Sequence, residues 1–244
     1  MTIIRSTLLS AFPEVLFGMS TNTGGVSADT MGLNLSFNVG DDPENVRVNR
    51  TAFFSALGIS EDRVAFTRQE HTVNITTVSG PGINDHCDAL ITNEKNVFLA
   101  ISIADCTPVM LYDPVNGIVA GVHAGWRGTA GGIVARTIAK LSSDYGTQPH
   151  DLTAFIGPSA GKCCYEVGSE VALQFDERSY EPGLNGKFML DVKHANMIQL
   201  LDSGVPISNI ETQSDCSIHE PLYHSHRRDG KRSGRMFAVI GITK

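Results

Sequence analysis

The sequence predicts an α/β (α+β-like) fold in which mixed β-sheets are flanked by helices. Two nearly continuous apolar runs, residues 97–103 and 118–122, are typical of buried strands. Segments with helical spacing of apolar residues lie on both sides of these runs. No linker, low-complexity segment or fixed-period repeat interrupts the 244 residues. A single domain over residues 1–244 with mixed strand directions is the simplest interpretation.

The first predicted elements lie around a clear helix start. Residues 34–40 alternate in polarity and predict a short strand. Asp42 is a suitable N-cap, and Pro43 favours the first turn of the helix that follows. Gly58 can end that helix as a C-cap, and residues 64–66 predict the next strand.

The rest of the chain alternates between strand and helix patterns. Further strands are predicted at residues 108–112, 152–156, near 210 and at 236–240. Helices are predicted at residues 129–141, with Thr129 as N-cap, and at 169–175 and 192–201.

Composition and charge exclude several classes of function. The chain has 19 Lys and Arg against 26 Asp and Glu, a formal charge of −7, so we expect neither nucleic acid nor a membrane surface as a partner. No signal peptide and no membrane-spanning run of apolar residues is visible. Five cysteines, an odd number, fit a reducing compartment, so we predict a cytoplasmic protein.

The candidate chemistry concentrates around Cys106 and His123, each predicted to lie at the end of a buried strand. His71, after the strand at 64–66, could join them. Two imidazoles and one thiolate are a donor set that suits zinc, and three protein ligands leave a fourth position open. The spacing alone leaves an alternative open, in which Cys106 is a small buried residue and both histidines are hydrogen-bonded structural residues.

Three further features suggest anion binding or packing. Gly125 to Thr129 precede a predicted helix, so the backbone amides near Arg127 and Gly128 could bind phosphate, or the segment could be a tight turn with a surface arginine. Arg50 could clamp phosphate or be a surface charge on its helix. Adjacent Cys163 and Cys164 are interpreted as packing residues that cannot readily point at one metal ion.

Residues 224–230 contain the chain's one His-x-His motif, formed by His224 and His226. A multicopper oxidase needs several such pairs, so a polar hairpin before the final strand is the favoured interpretation. Its arginines, Arg227 and Arg228, could still reach an anionic ligand.

Taken together, ordered motifs from residue 23 to residue 230 resemble one protein family. The sequence is similar to the YfiH family of purine nucleoside phosphorylases, formerly called multicopper polyphenol oxidases or laccase-domain proteins. The most specific motifs are Gln69-Glu70-His71, Asp88-Ala89-Leu90-Ile91-Thr92, Ala104-Asp105-Cys106-Thr107-Pro108-Val109, His123-Ala124-Gly125-Trp126-Arg127-Gly128-Thr129 and Cys163-Cys164-Tyr165-Glu166-Val167.

The resemblance implies a single YfiH-like domain that holds zinc through His71, Cys106 and His123. It implies phosphorolysis of adenosine, inosine, guanosine and methylthioadenosine to the free base and ribose 1-phosphate, together with deamination of adenosine. Arg50 and Ser36 would belong to the phosphate and ribose side of the pocket. We expect a monomer, with a dimer as the alternative.

Two single residues near the candidate ligands carry further expectations. Thr72 stands where the family commonly has glycine, which leaves the local backbone conformation open. Asp105 is hypothesised to orient a metal ligand through a hydrogen bond.

Three other functions compete with zinc-dependent phosphorolysis. A copper-dependent phenol oxidase would use Cu²⁺ as cofactor. A thiol hydrolase would use Cys106 and His123 as nucleophile and base, acting on amides such as those of cell-wall precursors. A non-catalytic binding module would retain its ligand unchanged.

Overall fold

Two six-stranded sheets pack face to face in the computed structural model, which describes residues 1–243. The strands in chain order are β1 (Ile3–Ile4), β2 (Val15–Ser20), β3 (Val64–Thr67), β4 (Ile75–Thr77), β5 (Gly82–Asn84), β6 (Ala89–Thr92), β7 (Phe98–Ile103), β8 (Thr107–Asp113), β9 (Ile118–Ala124), β10 (Thr153–Ile156), β11 (Glu166–Val167), β12 (Tyr180–Pro182), β13 (Phe188–Leu190), β14 (Ile210–Thr212) and β15 (Met236–Ile242). The helices are α1 (Pro43–Leu57), α2 (Trp126–Ala130), α3 (Ile133–Tyr145), α4 (Ser169–Ala172), α5 (Val192–Asp202) and α6 (His226–Asp229).

The sheets mix parallel and antiparallel pairs, as the sequence predicts. The first sheet has the order β1-β2-β15-β7-β3-β5, and the second has the order β14-β10-β8-β9-β6-β4. Strand β7 pairs antiparallel with β15 and parallel with β3. A small third sheet contains β11, β13 and β12. The α/β architecture with helices outside mixed sheets is therefore confirmed.

The main core lies between the inner faces of the two large sheets. Leu99 and Ile101 of β7 face Met110 of β8 and Val119 of β9 in one buried apolar cluster. Gly121 of β9 allows this close approach, because a Cβ atom there would lie 3.0 Å from Ile101 Cγ1. The absence of a side chain at this position thus sets the spacing between the sheets locally.

Helices cover both outer faces. Helix α1 packs on the outer face of the first sheet through the buried side chains of Phe53, Phe54 and Leu57. Helices α3 and α5 cover the outer face of the second sheet, with Ile138 and Leu200 in the buried cluster. Neighbouring residues on a strand therefore pack into different cores, which explains why β8 and β9 are buried along their whole length.

The first helix begins and ends as the sequence predicts. The Asp42 carboxylate accepts a hydrogen bond from the Glu44 amide, and Pro43 occupies the first turn. Gly58 ends the helix with a φ of 76°, the left-handed conformation that glycine adopts without strain.

The predicted strand at residues 34–40 is wrong. The Asn34 side chain accepts from the Ser36 amide and donates to the Ser36 carbonyl, and the Ser36 hydroxyl accepts from the Asn38 amide. These local bonds satisfy the backbone in place of a sheet ladder, so the segment is an irregular connection.

The predicted helix at residues 129–141 is also wrong at its start, and Thr129 is not its N-cap. Gly125 caps the short helix α2, and Gly132, with a φ of 78°, begins α3. Glycines 131 and 132 break the helical run because glycine has low helix propensity.

Two other predicted elements differ from the structure. Helix α4 stops at Ala172. The Leu173 amide still bonds four residues back, but the amides of Gln174 and Phe175 bond three residues back and tighten the last turn. The predicted hairpin at residues 224–230 contains instead the short helix α6, which the Ser225 hydroxyl caps. None of the helices within residues 1–243 combines the length and hydrophobicity that crossing a bilayer requires.

We expect Gly121→Val to destabilise the protein by about 1–3 kcal/mol, because the added atoms overpack the contact with Ile101. Urea unfolding measures this change. Gly80→Val is the matched control, since an added Cβ at Gly80 meets nothing within 4 Å. Equal midpoints for the two variants would show that Gly121 does not set the sheet spacing.

Candidate metal centre

The candidate centre lies where the chain repeatedly passes from the first large sheet to the second. His71 is on the connection from β3 to β4, and Cys106 is on the connection from β7 to β8. His123 lies in β9 of the second sheet, two positions after Gly121 on the face toward the first sheet. The sandwich topology thus brings together residues that lie 52 positions apart in the sequence, from 71 to 123.

The three side chains converge on one small volume. Their candidate ligand atoms all lie within 4.8 Å of one another. Cys106 Sγ is 3.7 Å from His71 Nε2, and the two imidazole rings meet edge to face with centroids 4.9 Å apart. This grouping of one thiol and two imidazoles could bind a metal ion.

A buried carboxylate, that of Asp88, orients His123. Strands β6 and β9 are antiparallel with Ala89 opposite Val122, so the register places Asp88 beside His123. The imidazole Nδ1–H donates to Asp88 Oδ1 over 2.8 Å, which leaves Nε2 free to face Cys106 and His71. Neither partner is more than 3% exposed, so little water competes for this bond.

The same carboxylate fixes the backbone that carries His71. Asp88 accepts hydrogen bonds from the amides of Glu70, His71 and Thr72. His71 itself has a φ of 59°, an unusual conformation for a residue with a side chain. The Thr72 hydroxyl adds a further bond to Asp88, so the threonine at this position is accommodated by the loop.

The electrostatics of the centre favour the charged forms of Cys106, His123 and Asp88. Burial raises the pKa of the Cys106 thiol, but His123 and His71 outweigh burial and lower that pKa to about 6. Burial lowers the pKa of His123, whereas the Cys106 thiolate and Asp88 raise it by a larger amount. Burial also raises the pKa of Asp88, but bonds from His123 and Thr72 bring it down to about 2. The lowered pKa favours the thiolate form of Cys106, which is the form that binds metals or acts as a nucleophile.

The absence of a side chain at Gly125 leaves space for the side chains of His71 and Cys106. A Cβ atom at Gly125 would lie 2.8 Å from His71 Cδ2 and 3.1 Å from Cys106 Sγ. Both distances are shorter than ordinary van der Waals contact, so a larger residue would displace the ligands.

The centre opens into a cavity of about 520 Å³ with a positive lining. Among the residues that the structure describes, the lining contains one carboxylate, that of Asp105, and four arginines: Arg68, Arg127, Arg227 and Arg235. This local excess of positive charge contrasts with the net charge of −7 on the whole chain. Such a cavity is suited to an anionic ligand.

A second cavity of about 710 Å³ adjoins the first and has aromatic walls. Phe37, Phe66 and Phe237 line it together with Arg50, whose guanidinium stacks on all three rings. Ser36 lines both cavities and so lies at their boundary.

The predicted phosphate residues occupy different places. Arg127 is exposed, stacks on Trp126 and lines the cavity at the centre. Gly128 is buried behind it, where a Cβ would lie 3.0 Å from the Thr72 carbonyl oxygen. Arg50 forms an ion pair with Glu61 at 2.6 Å and lines the aromatic cavity instead.

Asp105 does not have the orienting role predicted for it. One oxygen of its carboxylate accepts from the Ser217 hydroxyl, and the other accepts from the Arg227 amide. Asp88 orients the imidazole of His123 instead. The sequence analysis assigned Asp88 no role, although a carboxylate just before an apolar strand could have indicated a functional residue at a strand end.

Arg235 and Tyr165 are further cavity residues that the sequence analysis left without a role, and they lie with Arg227, one of the arginines expected to reach an anionic ligand. Arg227 stacks on the Tyr165 ring at 4.7 Å, so residues 62 positions apart share one wall. Nothing in their local sequence patterns predicts this contact.

The His-x-His residues do not form a common metal site in residues 1–243, where each candidate group consists of other residues. His224 is fully buried, and burial lowers its pKa to about 4. His226 lines the cavity near the centre.

Comparison with known proteins identifies relatives along nearly the whole chain. Residues 16–243 match the family model described as multi-copper polyphenol oxidoreductase laccase. The chain is 36% identical to "Purine nucleoside phosphorylase YlmD" of Geobacillus stearothermophilus, over 94% of this chain and 91% of that protein. It is 34% identical to a purine nucleoside phosphorylase of Bacteroides thetaiotaomicron, over 97% and 94% of the two chains.

Solved structures agree with the sequence comparison. The crystal structure of YlmD from Geobacillus stearothermophilus matches with a TM-score of 0.92 at 33% identity, covering 98% of this chain and 94% of that one. The Bacillus licheniformis hypothetical protein YfiH matches with a TM-score of 0.90 at 32% identity, covering 95% and 94%.

We expect Gly125→Ala to weaken binding of divalent metal by about tenfold or more, because the added Cβ pushes His71 and Cys106 apart. Competition with a chromogenic chelator measures the affinity. Gly80→Ala, where the Cβ meets open space, should bind like the parent protein. A Gly125 variant with parental affinity would show that the centre tolerates the displacement.

Asp88→Asn should lower metal affinity by about 10–100-fold, because the amide no longer fixes the His123 tautomer as a carboxylate does. The matched control is Asp113→Asn, a buried carboxylate whose bonds go to Val115 and Asn116. Thermal unfolding of both variants separates loss of stability from loss of metal. The role of Asp88 is refuted if both variants lose metal equally.

Proposed function

Because the chain belongs to the laccase-domain family of YfiH-like proteins, we propose that it is a metal-dependent purine nucleoside phosphorylase. The observation that carries the proposal is the His71, Cys106 and His123 centre beside a cavity lined by four arginines. The names of the curated relatives support a transferase that acts on purine nucleosides and phosphate. The five cysteines carry free thiols, which supports the predicted cytoplasmic location.

Zinc is the metal that fits the donor set best. His71, Cys106 and His123 would hold the ion, since imidazole and thiolate suit a borderline-soft cation. The hydrogen bond from His123 to Asp88 is of the type that orients zinc-bound histidines. A bound zinc ion supplies positive charge and lowers the pKa of water, and the latter is what the proposed deamination of adenosine to inosine requires.

The arginines would hold phosphate for attack on the nucleoside. In the reaction, a phosphate oxygen forms a bond to C1′ of the ribose while the C1′–N9 bond breaks. The bonding electron pair leaves with the purine, which takes up a proton. Arg127 and Arg235 would bind the phosphate oxygens, because a guanidinium matches their geometry. Holding the reactants in line is the main contribution of the protein.

The adjoining aromatic cavity provides a place for the purine ring. Phe37, Phe66 and Phe237 offer flat apolar faces, and Ser36 at the boundary is near where a ribose would join base to phosphate. Arg50, which the resemblance assigns to the phosphate and ribose side, would instead contact the purine side, because it stacks on the aromatic wall and pairs with Glu61. The proposed substrates are adenosine, inosine, guanosine and methylthioadenosine.

One observation favours a second candidate function, the thiol hydrolase. Cys106, His123 and Asp88 have the arrangement of a nucleophile, a base and an orienting carboxylate, and the Cys106 pKa is lowered to about 6. Copper-dependent phenol oxidation, named by the family description, has less support because His224 is buried apart from the centre.

Cys106→Ala and His71→Ala should each abolish phosphate-dependent release of hypoxanthine from inosine and should also lose bound zinc. The reason is that the centre then has two ligands in place of three. Chromatography of the products and elemental analysis of purified protein measure both effects. His150→Ala, at an exposed histidine outside the cavity, is the control and should stay active.

Three outcomes would contradict the zinc-dependent phosphorylase. Phosphorolysis by Cys106→Ala would remove the centre from the mechanism. Base release that needs no phosphate, or covalent trapping of Cys106 in metal-free protein, would favour hydrolysis. Copper with oxidation of phenols, in place of zinc, would favour the oxidase.

Arg127→Met should raise the KM for phosphate by about tenfold while changing the KM for inosine little, because a charged hydrogen bond to phosphate is lost. Steady-state kinetics with each substrate varied in turn measures the two constants. Arg47→Met removes an exposed arginine that pairs with Glu44 on α1 and is the matched control. An unchanged phosphate KM would exclude Arg127 from the phosphate site.

A further inference from the structure

A second group of metal-binding side chains consists of Cys163, Cys164 and Cys216. Their sulfur atoms all lie within 4.8 Å of one another, and those of Cys163 and Cys164 are 3.5 Å apart. The prediction that the adjacent cysteines cannot point toward one site is therefore wrong. Cys163 is exposed, Cys164 is partly exposed and Cys216 is buried, so the group has one open side.

Backbone structure on two segments brings these thiols together. Residues 161–164 form a turn in which the Gly161 carbonyl accepts from the amides of Cys164 and Tyr165. This turn directs the two adjacent side chains toward Cys216. Ser159 forms a parallel β-bridge with Cys216, and the Ser217 amide donates to the Ser159 carbonyl. The group is thus positioned by main-chain bonds and does not depend on flexible contacts.

Gly161 leaves the space in which the sulfur atoms meet. A Cβ there would lie 2.9 Å from Cys216 Cβ and 3.5 Å from Cys163 Sγ. The Gly161 amide donates to Cys216 Sγ over 3.1 Å, a bond that favours the thiolate form of a buried sulfur. Gly161 therefore provides both the space in which the sulfur atoms lie and an N–H donor to one of them.

A positive charge lies behind the buried end of the group. Lys193 is 7% exposed, and its ammonium donates to the carbonyls of Gln213, Ser214 and Asp215, the residues that lead to Cys216. These bonds fix the segment that carries Cys216. A complex of three thiolates with a monovalent or divalent cation carries net negative charge, which the ammonium would stabilise.

We propose that Cys163, Cys164 and Cys216 form a second metal site, which binds a thiophilic closed-shell ion such as Cu⁺ or Zn²⁺. Three sulfurs at this separation cannot all be ionised unless a cation neutralises them, and thiolates are the ligands that such ions select. Binding releases the thiol protons to solvent, and each sulfur donates an electron pair to the ion. The site differs from the His71, Cys106 and His123 centre in having no imidazole, so it would prefer softer ions.

The test uses Cd²⁺ as a spectroscopic probe in full-length protein that carries His71→Ala and Cys106→Ser, so that the first centre contributes no thiolate. We expect one equivalent of Cd²⁺ to bind with a sulfur-to-cadmium charge-transfer absorption in the ultraviolet. Adding Cys163→Ser or Cys164→Ser should lower the absorption for each bound ion and weaken the affinity by about tenfold or more. Lys162→Ser, beside the group and exposed, is the control and should change neither quantity.

Either of two results would overturn the proposal. One is the absence of charge-transfer absorption in the starting variant, whose thermal unfolding shows that it is folded. The other is the same absorption and affinity in the Cys163→Ser and Cys164→Ser variants as in Lys162→Ser. Because Cys163 is exposed, its substitution tests the site without disturbing the core. The outcome does not depend on whether the first centre supports phosphorolysis.

Discussion

The arrangement of the first centre depends on the carboxylate of Asp88. This fully buried group accepts one bond from the His123 imidazole and three from the backbone of residues 70–72. It therefore couples a residue on β9 to a loop that adopts a left-handed conformation at His71. A buried anion is tolerated only where it has such partners, so the carboxylate and the loop geometry stabilise each other.

The sandwich explains why the site lies at the ends of the strands. Successive strands from β3 to β8 alternate between the two large sheets, and because β3, β5 and β7 are parallel, the connections from the first sheet to the second begin at the same end of that sheet. Asp88 follows β5, and Cys106 follows β7, so each lies on such a connection. The interior of the sandwich stays apolar, and the polar chemistry is confined to the edge where arginines and solvent are within reach.

Local signals in the sequence predicted the parts of the fold that local forces control. The Asp42 cap, Pro43 and Gly58 delimit α1, and apolar runs mark the buried strands. The failures at residues 34–40 and at Thr129 have a local cause too. Side-chain bonds of Asn34 and the two glycines at 131–132 overrode the hydrophobic pattern.

The sequence by itself determined the α/β class and the strand cores and, through the family resemblance, singled out His71, Cys106 and His123 as candidate ligands. Only the tertiary structure decided that Asp88 and not Asp105 orients a ligand, that Arg50 lines a separate aromatic cavity, and that three other thiols converge. The physical reason is that these contacts join residues tens of positions apart. Strand register and sheet packing set their directions, and neither is encoded in a local pattern.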